Sequence, residues 1–456
     1  MIKQQASFRE QIEAYIKEHE TMIMTDLQKL ISFRTILEEK GELRDCLNWF
    51  LGRAADMGFT VSKTTTDDVG VVDAGQGDET LGILVHLDVV DIGDSEKWRF
   101  PPFSGTIADG SIWGRGAMDD KGAAIICLYG MKALLDLGVQ FHKKIRLIVG
   151  TSEEGTWTDI QNFKNQFQSP DYGFTPDGDF PIYNIENGYT DVVLEFDESG
   201  TTGLFKEFDV YSGKSANTVP SKATLTIDGV RHIFDGVSAH SSTPELGDNA
   251  ILKLCASAPW GRGDAGTSIG AGAAFHFCRF VNEKLACDIF GGGLDLKSGE
   301  TYWEGQNLGR TKIAPTVLRR VGDKVVLNVN IRQNASLTRQ DIEDAFRRFS
   351  GEYHYQFTIP VFLDAMRVSS KRKTLAVMAQ TYEDWGYENR FIAAAGTSYA
   401  KAMKNIVTWG PCFPEDLSCA HQENERIGLR SLFRAMGIYT DYMHRVVSDP
   451  ESYLER

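Results

Sequence analysis

The sequence predicts an α/β fold in two domains: one α/β domain with a central mixed sheet flanked by helices, and an α+β domain inserted into it. Three observations predict this. A chain of 456 residues exceeds the size at which one hydrophobic core stops growing. Nearly continuous apolar runs, such as Leu81 to Val90, alternate with helical patterns before Gly188. From there to about residue 365, short strands, turns and Gly-rich pieces such as Gly291-Gly292-Gly293 replace that alternation, which returns near the C-terminus.

Residues 8–58 read as two amphipathic helices. The β-runs VGVVDAG and TLGILVHLDVV follow, and the second suits a strand covered on both faces. Asp119–Gly138 reads as a helix with acids at its start and glycine at its end. KKIRLIVGTSEE is another buried strand, and strand–helix–strand order implies a layered domain. After the change of texture come a helix at TLAVMAQTYEDWG and a strand at NIVTWG. The expected boundaries are 1–186 and 369–456 for the α/β domain and 187–368 for the insertion.

Hydrophobic content of 42% and charged content of 24% are ordinary globular values. The net charge of −15 repels phosphate backbones and anionic lipid, so neither nucleic acid nor membrane is an expected partner. Cys46, Cys127, Cys255, Cys278, Cys287, Cys412 and Cys419 show no CxxC spacing, which fits reduced thiols better than a disulfide framework. The first residues are charged and helical, without an apolar signal core. No stretch reaches the ~20 apolar residues of a membrane span. A cytoplasmic location is expected.

Four segments carry candidate chemistry. His86 and Asp88 follow the apolar run GILV, where period-2 alternation would put both on one face, with Asp88 supporting His86. Asp119 and Asp120 enter the predicted helix, where they also suit a cap and first-turn role. Glu153 and Glu154 stand in the segment Thr151–Gly155 that follows IRLIV; paired carboxylates repel one another unless a cation or a raised pKa relieves them. Asp177 stands in FTPDGDF, and His421 in the late segment SCAHQENE. A hydrolase using two metal ions needs a bridging carboxylate, terminal His or carboxylate ligands, and a free carboxylate to activate water.

Taken in order, HLDVV, GRGAMDDKG, GTSEEGTW, FTPDGDFP, AHSSTPELGDNA, VNIRQN, AGTSYAK and AHQENE resemble the dinuclear zinc M20 metallopeptidases, and among them the PepV-like branch of Xaa-His and carnosinase-like dipeptidases. The resemblance covers nearly the whole chain. It implies a catalytic domain and a lid, with Asp119 bridging two metals, His86 and Asp177 completing one site, and Glu154 and His421 the other. Asp88 would orient His86, and Glu153 would be the general base. A cis peptide is implied at Asp119–Asp120. From the insertion, His240 matches a lid histidine that donates to the oxyanion. Arg332 matches an arginine that grips the substrate's terminal carboxylate. Asn217 matches a lid residue near it, and Gly396, Thr397 and Ser398 resemble a loop lining the substrate pocket.

The implied activity is hydrolysis of dipeptides with a free C-terminus. An N-acyl-amino-acid deacylase on the same fold is the alternative. Zinc is the expected metal, with manganese or cobalt also admitted by the mixed ligands. A monomer is expected, because a large lid supplies in cis what a partner subunit supplies elsewhere; a homodimer stays open. Val85, the Gly155-Thr156-Trp157 sequel and the Ala-Gly-Thr-Ser-Tyr loop depart from the family pattern without removing a ligand. Gly261–Gly266 matches a dinucleotide-binding expression, but it follows no strand and reads as an exposed loop. The remaining histidines, among them His276 and His354, read as ordinary surface or core residues.

Overall fold

The computed structural model describes residues 6–197, 208–257, 273–296 and 299–454; Gly261–Gly266 lies outside them. The chain divides into two compact units: Met1–Asn184 with Val368–Ile392 and Ser398–Arg456, and Ile185–Arg367 with Ala393–Thr397.

The first unit begins with α1 (Phe8–Ser32), whose N-terminus is closed by a capping box between Ser7 and Glu10. Next comes α2 (Lys40–Asp56). The central strand Thr80–His86 lies between Lys144–Gly150 and Tyr172–Thr175 and runs parallel to both. Ile406–Trp409 extends the parallel set beyond Tyr172–Thr175. Gly70–Ala74 and Thr60–Lys63 add antiparallel strands on the other side, which makes the sheet mixed. Leu81, Ile83, Leu84 and Val85 are fully buried, as a strand covered on both faces requires. Helices α3 (Lys121–Asp136) and α9 (Leu429–Ser448) pack on one another. Helices α4 (Thr158–Gln166) and α8 (Lys373–Asp384) complete the unit.

The apolar run past His86 does not continue as a strand. Pairing stops at His86, so Asp88 lies in the following loop and period-2 alternation does not relate the two side chains. All the parallel strands end on one side of the sheet, where open α/β sheets bind ligands.

The second unit is a seven-stranded antiparallel sheet. Its order is Val230–Asp235, Lys222–Ile227, Phe208–Ser212, Lys312–Val321, Lys324–Arg332, Tyr189–Asp197 and Tyr355–Leu363. Helices α5 (Ala250–Ser257), α6 (Ala273–Phe280) and α7 (Arg339–Ser350) pack against it. Val192, Leu194, Phe277, Phe280, Leu327 and Phe346 lie in its fully buried core. All seven cysteines are free thiols, and only Cys287 is exposed. Among the described residues no helix is long and apolar enough to cross a membrane.

Candidate active site

The carboxyl end of the strand Thr80–His86 delivers a buried imidazole. His86 Nδ1 lies 3.0 Å from the main-chain carbonyl of Asp88. That oxygen can only accept, so Nδ1 carries the proton and the Nε2 lone pair faces into the site. There it meets Asp119 Oδ1 at 3.0 Å and Asp177 Oδ1 at 3.7 Å. A lone pair against two carboxylate oxygens is repulsive unless a proton or a metal ion stands between them.

Asp119 and Asp120 are joined by a cis peptide bond just before α3. Asp120 holds the N-cap position but makes no capping bond. Its Oδ2 accepts instead from the main-chain N–H of His86 at 3.2 Å. A Cβ at Gly122 would lie 2.2 Å from the Ala117 carbonyl oxygen, so only glycine permits this entry into the helix.

Strand Lys144–Gly150 delivers Glu153 and Glu154 on a loop. The Asp88 carboxylate accepts the main-chain N–H of Glu153 at 3.1 Å and of Glu154 at 2.9 Å. It therefore grips the glutamate turn, while its contact with His86 Nδ1 is longer, at 3.5 Å. His421 arrives from a late loop at positive φ, its side chain 54% exposed. Its Nε2 is 2.9 Å from Asp119 Oδ2 and 2.6 Å from Glu154 Oε1.

Two ligand-atom groups result: His86, Glu153 and Asp177, and Asp119, Glu154 and His421, with the atoms of each group within 4.8 Å of one another. Glu153 thus stands beside His86 and Asp177, the pair that resemblance joins to Asp119 in one site. Asp119 shows a different oxygen to each histidine, the arrangement of a bridging carboxylate.

Electrostatics points the same way. Burial, then repulsion from neighbouring carboxylates, raises the pKa of Glu153, Asp177 and Asp120, and brings Glu154 to about 7. Burial works against charging of His86 and His421, but the carboxylates close to each ring favour its charged form, outweigh burial and raise both. Asp119 is the exception: burial favours its neutral form, yet the two histidines hold it well below the usual carboxylate range. His86 Nε2, Asp119 Oδ1 and Glu153 Oε1 are buried without a hydrogen-bond partner. Orphaned nitrogen and oxygen atoms converging on one excess of negative charge fit divalent cations.

Two supporting residues were not singled out in the sequence. Glu425 Oε1 accepts from the main-chain N–H of Met118 and Asp119 at 3.0 and 3.2 Å. Its other oxygen pairs with Arg115 at 2.7 Å, both side chains being 1% exposed. Their signal was their place inside GRGAMDDKG and AHQENE.

Asn217, His240 and Arg332 belong to the second unit and meet around Ser241 there. The Ser241 N–H donates to the Asn217 carbonyl at 2.8 Å. Arg332 Nε and Nη2 donate to Ser241 Oγ at 3.2 and 3.1 Å, and the guanidinium lies over the Tyr189 ring. Burial lowers Arg332 to about 10, which leaves it charged at neutral pH. His240 pairs with Thr218 across a short two-stranded ladder, and its Nδ1 lies 2.6 Å from Ser242 Oγ. Gly396 is exposed and Thr397 half-buried, both grouped with the second unit, whereas the buried Ser398 belongs to the first. Ser398 Oγ shares a hydrogen bond with Thr408 Oγ1 and accepts from the Ala400 N–H.

Histidines and crowded carboxylates at the carboxyl ends of parallel strands define a hydrolase of the metal-dependent class. The chain belongs to peptidase family M20/M25/M40, whose model matches residues 82–445, and it is accordingly a peptidase. It is 28% identical to the Bacillus subtilis (strain 168) protein named "Putative dipeptidase YtjP", across 94% of this chain and 98% of that one. The structure of human carnosine dipeptidase 1 matches 96% of this chain and 98% of its own with a TM-score of 0.62 at 14% identity. The Saccharomyces cerevisiae di-peptidase Dug1p matches 97% and 99% with a TM-score of 0.64 at 12% identity. At such identities these two structures share the fold.

Proposed function

We propose that this peptidase is a dipeptidase of the PepV-like branch that works with two divalent ions, zinc first among them. The observation that carries the reading is Asp119, with Oδ1 towards His86 and Oδ2 towards His421. His86 and Asp177 would hold one ion, Glu154 and His421 the other, and Asp119 both. When bound, such ions lower the pKa of water towards ~7 and polarise a carbonyl.

Glu153 is the general base. Its buried Oε1 has no other partner, so it is available to take the water proton and return it to the leaving amine. Asp88 keeps that carboxylate in place through the main chain. His240 is assigned to the oxyanion and Arg332 to the substrate's C-terminal carboxylate, with Asn217 and the Gly396–Ser398 loop beside the substrate. The dipeptidase-named relative supports the choice of substrate, and the convergence of Asn217, His240 and Arg332 on Ser241 supports their common task.

The test is a dipeptide library assayed with zinc, manganese or cobalt added back, alongside N-acetylated amino acids. Turnover of free dipeptides is expected. Preferential hydrolysis of the N-acetylated compounds would replace this reading with a deacylase.

A further inference from the structure

The segment from Thr151 to Glu154 offers four successive main-chain N–H groups, and two buried carboxylates accept all of them. Asp88 takes Glu153 and Glu154. Asp159, from the first turn of α4, takes Thr151 and Ser152 at 2.8 and 3.0 Å through its Oδ2. Asp159 is 1% exposed, and the same oxygen also accepts the phenol of Tyr399, which is fully buried. Its other oxygen accepts the N–H of Ile160.

Tyr399 is held on two sides. Its ring stands edge-on to His86 at 6.2 Å and to Trp157 at 5.6 Å. The Trp157 indole N–H in turn donates to the Glu153 carbonyl at 2.7 Å. Space for this arrangement comes from Gly150: a Cβ there would lie 2.5 Å from the Tyr399 hydroxyl and 2.8 Å from Asp159 Oδ2. A Cβ at the end of that strand would require the phenol and the carboxylate to shift from these positions.

We propose that Tyr399 and Asp159 are positioning residues: through the N–H groups of Thr151 and Ser152 they set where the Glu153 and Glu154 carboxylates point. The inference rests on the base and ligand roles given to those glutamates above. Its physical warrant is that reacting groups tolerate little displacement, a shift of ~1 Å costing on the order of 10²-fold in rate. Partners of metal ligands typically change metal affinity ~10–100-fold when removed. Both side chains are buried.

Tyr399→Phe keeps the ring and removes only the hydroxyl; Asp159→Asn removes the charge. Zinc titration calorimetry on the metal-stripped protein, and kcat and KM on the best dipeptide, are compared with wild type. Tyr399→Phe should lower kcat about tenfold or more with KM within about twofold, and weaken one of the two zinc-binding events about tenfold. Asp159→Asn should do the same more strongly, and the double variant should be no worse than Asp159→Asn, since one residue acts through the other. Wild-type kcat and zinc affinity in Tyr399→Phe would overturn the proposal, as would independent, multiplying effects in the double variant. Should Asp159→Asn fail to fold, Tyr399→Phe decides alone. If the wild type cleaves no dipeptide, the function proposed above fails, while the zinc titration still decides the positioning role.

Discussion

Asp119 Oδ1 lies 3.0 Å from His86 Nε2 with no hydrogen-bond partner besides, and its other oxygen turns to His421. In the proposed reading this one carboxylate is shared between two metal sites, which makes their occupancies interdependent. Asp119→Ala should therefore strip both metal ions, whereas His421→Ala should lower mainly one. Elemental analysis after gel filtration reads this directly; two ions retained in Asp119→Ala would refute the bridge.

The neighbouring glutamates should separate cleanly. Glu153→Gln is expected to lower kcat by ~10²–10⁴-fold or more, the range of general base catalysis, with metal content near normal. Glu154→Gln should lower metal content instead. The reverse pattern would mean that the two roles are exchanged.

Arg115 and Glu425 form a buried pair whose carboxylate also holds the main chain of Asp119. Removing one partner leaves an uncompensated buried charge, so Arg115→Met should cost ~3–5 kcal/mol of stability. Adding Glu425→Gln should restore part of it. Chemical denaturation of the wild type, the single variant and the double variant measures both effects, and a double variant less stable than Arg115→Met would contradict the account.

The second unit should carry its own acid sensitivity. His276 is 8% exposed, and its ring centre lies 4.3 Å from that of His354, the two planes tilted by 50°. Burial, then the neighbouring His354 and Arg279, lowers its pKa to about 4. The folded value lies below the ordinary ~6.5, so the unfolded chain takes up the proton first. Stability is full above pH 6.5 and falls as pH drops towards 4, by roughly 1–3 kcal/mol. Thermal unfolding of His276→Phe should show a shallower loss across that window than wild type. Equal slopes would exclude His276 as the cause.

Arg332 gives the substrate test. If its guanidinium grips a terminal carboxylate, Arg332→Ala should cut kcat/KM for dipeptides steeply, by ~2–5 kcal/mol in transition-state terms, and remove the preference over C-terminally amidated analogues. Efficient cleavage of dipeptide amides by the wild type would end the assignment.

Some of the residues that the structure brings together in the candidate site were conspicuous in the sequence. His86 ends the apolar run Leu81–Val85, and the Glu153–Glu154 pair stands four residues past the mostly apolar run Ile145–Val149; both runs are buried throughout. Asp177 and His421 look like ordinary turn residues, and only the order of the segments along the chain picks them out. Where the run to Val90 read as continuous strand, the break at His86 was hidden, because the Asp88 carboxylate is turned to accept N–H groups 65 and 66 residues away. Asp159 with Tyr399, and Arg115 with Glu425, were illegible for a similar reason. Each pair is a long-range hydrogen bond, spanning 240 and 310 residues, and no local periodicity registers it. The meeting of His276 and His354 is likewise a product of tertiary packing.

The proposed ligand set is completed by His421, which meets Glu154 across 267 residues of chain, because the first unit is assembled from segments on both sides of the second. During synthesis at ~5–20 residues per second, on the order of 13–53 s separate the two ligands' emergence. Throughout that interval Asp119 and Glu154 are without the imidazole that both face in the complete structure. On the proposed reading, a chain stopped anywhere before His421 lacks one of the five residues assigned to the ions, and should bind zinc more weakly than the whole first unit does.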